Sequence, residues 1–289
     1  MVFVYIVIAL IPLISYILLF MIFTIERPKT HSVTPICNIP TCVRCSKNIS
    51  VISNAINHLK NVPDNFDGYS RIKQALDKAQ GNSEVLLFEV VQLASKPIWN
   101  PTDLGSDIAD DIRKLEDEFT TIKLASLKLF KNPTMWRKNQ ETNGTNWFIY
   151  PMMMQGTWME ENCNEDLELM EIIHSLSSTM PDCCFGNIFF SLLPPKSIIE
   201  THRGPTNIRL RCHFGLEVPE DKNSCFMKVD EEILHWEEGK CFVFDDSLPH
   251  SVDASKAKAD RLALIIDFWH PNLSMRERDE LCYIFPKTE

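Results

Sequence analysis

The chain opens on an uncharged apolar run, "VFVYIVIALIPLISYILLFMIF" at residues 2–23. At about 1.5 Å per residue a helix of that run reaches roughly 33 Å, enough to cross a bilayer core. Pro12 is tolerable inside a membrane helix, and no basic start or small-residue cleavage site marks a removed signal. The pattern predicts a single transmembrane signal-anchor over 1–23 and a linker over 24–50. Residues 51–95 read as helical, with "VISNAINHLK" and "SEVLLFEVVQLAS" as the clearest pieces. The prolines of "KPIWNPTDLG" then break the pattern. From 103 to 130, Ile108, Ile112, Leu115, Phe119, Ile122 and Leu129 recur at helical spacing and predict one amphipathic helix.

After about residue 145 the period changes from helical to strand-like. "NIFFSLL" at 187, "IRLRCHFGLEV" at 208, "KCFVFDD" at 240 and "RLALIIDFW" at 261 are short β-type runs between turn signals, and "EEGK" before the third reads as a hairpin signal. Strands at this density predict a sandwich or barrel. The run from 208 to 218 alternates strictly. Ile208, Leu210, Cys212, Phe214, Leu216 and Val218 share one face, and Arg209, Arg211, His213 and Glu217 the other. That polar face suits either a solvated outer surface or the wall of a polar pocket, and the pattern alone does not choose.

Composition changes this picture little. Of 289 residues 45% are hydrophobic and 24% charged, ordinary for a globular protein. The net charge of −10 argues against a general nucleic-acid binder. Ten cysteines permit disulfides without assigning them, and Cys37, Cys42 and Cys45 sit in the linker. Arg27 and Lys29 follow the apolar run and vote for a cytoplasmic C-terminal part. The sequons at Asn48, Asn143 and Asn272 vote for a lumenal one, so the residues leave the side open.

Candidate chemistry gathers near strand ends. His202 lies in "THRGPTN", His250 follows the apolar strand and turn of "FVFDDSLPHS", and Arg261 opens the apolar strand "RLALIIDFW". A charge at the start of a buried strand requires a partner. Together "HRGPTNIRLRCHFGL", "WEEGKCFVFDDSLPHSV" and "RLALIIDFWHP" resemble, in that order, the catalytic domain of aspartyl/asparaginyl β-hydroxylases, over roughly residues 96 to 281 of a domain placed at 96–289. The resemblance implies a mainly β, double-stranded β-helix (jelly-roll, cupin-like) domain with N-terminal helices, working as a dioxygenase on Fe(II), 2-oxoglutarate and O2. It assigns the metal to His202 and His250, which are also the catalytic residues. It assigns 2-oxoglutarate contacts to Trp147, Ser191, Arg211, His213 and Arg261. Most such enzymes carry a carboxylate two residues after the first histidine; here, as in the family, that position is Gly204.

The chain departs from its relatives in two places. The family cysteine matched by Cys163 pairs with one seven residues on, where this chain has Met170. The long repeat-bearing region that precedes the catalytic domain in some members has no counterpart. By resemblance the reaction is hydroxylation of a peptidyl Asp or Asn at its β-carbon, in substrates such as small disulfide-rich extracellular modules. By resemblance, too, the expected location is a single-pass protein of the endoplasmic reticulum with a lumenal catalytic domain. The alternative is a catalytically inactive, membrane-anchored jelly-roll module that binds and turns over nothing.

Overall fold

In the computed structural model, which describes residue 43 and residues 48–60, 70–80, 88–130, 133–139 and 146–287, the helical periods near the N-terminus fold as read in one place and not in another. "VISNAINHLK" lies in helix α1 (Asn48–Lys60), and a second helix, α2 (Ser70–Gln80), follows. "SEVLLFEVVQLAS" is not helical over its described residues 88–95. Phe88 and Val90 are both buried, at strand spacing. Phe88 pairs with Thr206, and Val90 with the side chain of Asn207. These contacts satisfy the backbone from outside the segment, so a helix ladder is not needed.

After the short strand β1 (Ile98–Trp99), the predicted helix of 103–130 is two: α3 (Gly105–Asp117) and α4 (Phe119–Leu129). The chain leaves helical dihedrals at Glu118, φ −92° and ψ 17°. Ile108, Leu115, Ile122 and Leu129 are all buried, so the apolar stripe continues across the break. Two short helices follow the surface of a twisted sheet where one straight helix would diverge from it.

The remaining elements are β2 (Arg137–Asn139), β3 (Trp147–Met154), β4 (Thr157–Trp158), α5 (Glu160–Cys163), α6 (Leu167–His174), β5 (Ile188–Leu193), β6 (Ser197–His202), β7 (Arg209–Glu217), β8 (Phe226–Val229), β9 (Glu232–Leu234), β10 (Cys241–Phe244), β11 (His250–Ala254), β12 (Arg261–Trp269) and α7 (Met275–Ile284). All four strongly patterned runs are strands. They build two antiparallel sheets, one of eight strands in the order β1-β10-β7-β12-β5-β3-β2 with β4 on β3, and one of four, β6-β11-β8-β9. The "EEGK" turn exists, with Gly239 at φ +73°, but it is not a hairpin: β9 and β10 belong to different sheets, and the turn carries the chain between them.

The outer face of the large sheet packs on α3, α4 and α6 through Leu115, Ile122, Ile173, Leu210, Phe214 and Leu264. Its inner face meets the small sheet through Ile149, Phe189, Ile265, Ile199, Met227 and Val252. Both faces of β7 are therefore covered, and Arg209, Arg211 and His213 are buried between the sheets. A third apolar cluster joins α1, α2, α7 and Phe88 through Ile52, Ile72, Leu76, Leu281 and Phe285.

Among the described residues, no helix is long and apolar enough to cross a membrane. The expected span at 2–23 and the linker cysteines lie outside the described residues. The expectation of a single-pass protein of the endoplasmic reticulum is corrected accordingly: no described element supplies the anchor on which it depended. Cys163 is a free thiol, its Sγ 3.4 Å from the Met152 carbonyl, with Met170 buried in the core nearby.

Candidate active site

The two histidines come from different sequence motifs and meet across one strand pair. His202 ends β6, His250 opens β11, and the two stand directly opposite each other in the antiparallel register. Their rings are 4.2 Å apart, centroid to centroid. Each Nδ1 faces the carbonyl two residues earlier, Glu200 at 2.8 Å and Leu248 at 2.9 Å. A carbonyl only accepts, so Nδ1 is the donor in each neutral ring and Nε2 keeps its lone pair. Burial, and then the neighbouring His202 ring, pushes His250 down to about 3, so it stays neutral and able to ligate. Two imidazoles side by side, each with its Nδ1 on a backbone carbonyl, fit a divalent ion such as Fe(II).

No carboxylate completes a triad: among the described residues, no group of three or more His, Cys, Asp or Glu side chains is arranged to hold a metal. The geometry at Gly204 explains why that position carries none. A Cβ added there would fall 2.4 Å from Asp246 Oδ2, and Asp246 is itself held by buried arginines. The space a side chain would need is already filled.

The histidines open into a narrow, partly open cavity between the sheets, lined also by Trp147, Ser191, Arg211, His213 and Arg261. All seven residues expected at the site thus line one space. Arg261 Nη1 donates to Ser191 Oγ at 3.0 Å, and Trp147 Nε1 donates to the same oxygen at 2.9 Å. The guanidinium lies over the Trp236 ring, 4.8 Å from its centroid. Arg261 is 1% exposed, and its Nε has no hydrogen-bond partner. Among the described residues, no carboxylate pairs with it. Burial lowers its pKa to about 10, which still leaves a full cation at neutral pH. His213 Nδ1 is likewise buried and unpartnered. Burial, and then the Arg261 charge, holds His213 well below the usual histidine range, hence neutral.

Arg211 has a different environment. It donates from Nε to Asp267 Oδ1 at 2.8 Å, and its Nη1 lies 3.3 Å from Asp246 Oδ2. Arg209 bridges the same two carboxylates, at 2.6 Å to Asp246 and 3.1 Å to Asp267, and also donates to the Phe185 carbonyl. Asn187 Nδ2 adds a bond to Asp267 at 2.7 Å. Burial opposes ionisation of Asp246, but Arg209 and Arg211 outweigh it and hold its carboxyl below the usual range. Two arginines and two aspartates balance, so this network contributes shape and rigidity, while the unmatched positive charge of the cavity is Arg261. Sequence reasoning gave Asp246 and Asp267 no role and placed Arg209 only on the polar face of its strand. A carboxylate inside the nine-residue buried strand "RLALIIDFW" was the available signal, because such a charge requires buried cations.

Residues 109–271 match the family model described as "Aspartyl/Asparaginyl beta-hydroxylase". The chain is 32% identical over 264 residues to "Aspartate beta-hydroxylase domain-containing protein 2" of Homo sapiens, covering 86% of this chain and 70% of that protein. It is 31% identical over 198 residues to "Aspartyl/asparaginyl beta-hydroxylase" of Mus musculus, covering 68% of this chain and 26% of that longer one. Among solved structures, a Pseudomonas putida prolyl-4-hydroxylase aligns at a TM-score of 0.32 and 19% identity, over 56% of this chain and 87% of that one, too distant a likeness to bear on the chemistry. The family match spans both histidine motifs, the buried arginines and every strand that lines the cavity. The chain belongs to the aspartyl/asparaginyl β-hydroxylase family.

Proposed function

We propose that this chain is an Fe(II)- and 2-oxoglutarate-dependent dioxygenase on a double-stranded β-helix, hydroxylating a peptidyl Asp or Asn at its β-carbon. One observation carries the reading: a single cavity holds two imidazoles whose Nδ1 atoms face backbone carbonyls, and a buried guanidinium with an open donor and, among the described residues, no carboxylate to match it. His202 and His250 would hold Fe(II). Arg261, Ser191, Trp147 and His213 would hold the dicarboxylate. Bound there, Fe(II) with 2-oxoglutarate and dioxygen supplies the oxidising power to replace a C–H hydrogen by hydroxyl.

The chain's own residues do the rest. The Arg261 fork supplies the fixed charge that a distal carboxylate pairs with, and the Ser191 hydroxyl and Trp236 face hold that fork in place. The Arg209–Asp246–Asp267–Arg211 network keeps the cavity wall from relaxing. Phe189, Phe244, Val252 and Ile265 make the walls apolar and exclude water.

The test is iron-dependent formation of succinate from 2-oxoglutarate by the purified chain, with His202→Ala and His250→Ala alongside. The expected result is turnover in the parent and none in either variant. Undiminished turnover in both variants sinks the two-histidine site. A parent that binds 2-oxoglutarate but never turns it over is a non-catalytic module.

A further inference from the structure

Residues 88–95 form a strap with almost no regular structure of its own, yet its polar groups are occupied one after another. Phe88 N donates to the Pro205 carbonyl at 2.9 Å, and Thr206 Oγ1 donates to the Phe88 carbonyl at 2.8 Å. Asn207 closes a double bond onto Val90, accepting from its N–H at 2.9 Å and donating to its carbonyl at 3.0 Å. At the other end, Ser95 Oγ donates to Asp245 Oδ2 at 2.9 Å.

These contacts have a common destination. Asn207 lies five residues after His202 and Asp245 five residues before His250. The strap therefore grips the loop that leaves one histidine and the turn that leads to the other. The two loops also touch directly, through Gly204 N to the Asp246 carbonyl and Arg203 to the Ser247 carbonyl. The strap spans them from outside and is itself anchored. Phe88 packs against Phe285, the residue that caps the end of α7, and Arg71 of α2 reaches both the Val91 carbonyl and Glu277. Residues 71 to 95 lie outside the span 109–271 that the family model matches.

We propose that the strap is a positioning element for the paired histidines, with Asn207 and Ser95 as its positioning residues. The proposal rests on the reading of His202 and His250 as a metal pair. A purely structural role fits poorly, because Ser95 is exposed and spends its hydroxyl on the carboxylate that opens the His250 turn.

The test uses the full chain and Co(II) alone, titrated calorimetrically into metal-free protein, together with the thermal midpoint of each metal-free variant. Partners that orient metal ligands from behind typically change affinity by roughly 10- to 100-fold when removed. Asn207→Ala and Ser95→Ala are each expected to weaken Co(II) binding roughly tenfold or more, and Ser95→Thr, which keeps the hydroxyl, to bind like the parent. The Ser95→Ala loss should come with an unchanged thermal midpoint, which a structural role does not produce. If Asn207→Ala fails to fold, the Ser95→Ala and Ser95→Thr comparison decides. If His202→Ala abolishes binding while Ser95→Ala binds as tightly as the parent, the strap proposal is wrong and the metal pair stands. If His202→Ala binds Co(II) like the parent, the metal pair itself fails and the strap proposal with it.

Discussion

Arg261 and Asp267 lie on the same strand and show opposite ways of burying a charge. Asp267 is compensated by Arg209 and Arg211, whereas Arg261 has a hydroxyl, a carbonyl and an indole face but no carboxylate among the described residues. Removing one partner of a buried ionic network typically costs about 3–5 kcal/mol. Asp267→Ala should therefore lower the unfolding free energy by that amount in urea, and a loss under about 1 kcal/mol would show that the arginines find other partners. Arg261→Lys should instead leave stability nearly intact and weaken 2-oxoglutarate binding. A hydrogen bond to a charged group contributes about 1.5–3 kcal/mol, so losing the fork should cost roughly tenfold to a hundredfold in affinity. Metal affinity should not change, because Arg261 is not a ligand. Equal 2-oxoglutarate affinity in the lysine variant would reduce Arg261 to a structural charge. Gly204→Asp, designed to add a carboxylate ligand, should weaken metal binding, because its Cβ alone collides with a carboxylate that Arg209 and Arg211 immobilise.

At the scale of elements, local pattern and tertiary packing divide the work unevenly. The four long β-type runs are strands because their alternation or continuous apolarity suits a pleated surface covered on one or both faces. The strap is extended for the opposite reason: residues 88–95 hold a mixture of apolar spacings, and partners more than a hundred residues away decide among them. Helix α7 is specified locally. Ser274 accepts from Glu277 N while the Glu277 side chain accepts from Ser274 N, a reciprocal capping box. Ser274→Ala should cost about 1 kcal/mol, or roughly 2–4 °C of thermal midpoint in a chain of this size. A midpoint unchanged by calorimetry would mean that packing under α7 alone holds the helix.

At the scale of the whole molecule, the N-terminal helices are not an appendage. Arg71 of α2 forms a forked pair with Glu277 of α7, at 2.6 and 2.8 Å. The hydrogen bonds from Arg71 come first among the causes that lower Glu277 from 4.5 to about 2. Glu277 binds a proton less tightly folded than unfolded, so its contribution is complete above about pH 4.5 and fades as pH falls toward 2. The stability gap between the parent and Arg71→Met should be widest near neutrality and close on acidification through that window. A gap that stays constant down to pH 2.5 would show that the pair contributes packing and not charge. A chain cut at residue 96 would uncover Phe185, Trp269, Leu281 and Phe285, which α1, α2 and Phe88 now share in one cluster. It should unfold at lower urea than the full chain, and equal midpoints would make the N-terminal helices dispensable.

The linear pattern by itself determined the four strands β5, β7, β10 and β12, the change from helical to strand period near residue 145, and the two-faced character of β7. These rest on side-chain periods of 3.6 and 2, which are local properties of the chain. It also marked His202, His250, Ser191, Trp147, Arg211, His213 and Arg261, through motifs whose order carries the family likeness, and the structure brings all seven to one cavity. Only the tertiary structure decided whether the polar face of β7 meets water or a pocket, because that depends on a second sheet contributed by β6, β8, β9 and β11. It alone separated Arg211, neutralised by Asp246 and Asp267, from Arg261, left unmatched, since both are arginines near apolar strands and differ only in what lies opposite. And it alone tied residues 88–95 to the loops of both histidines, a connection set by contacts between segments more than a hundred residues apart, which no local period encodes.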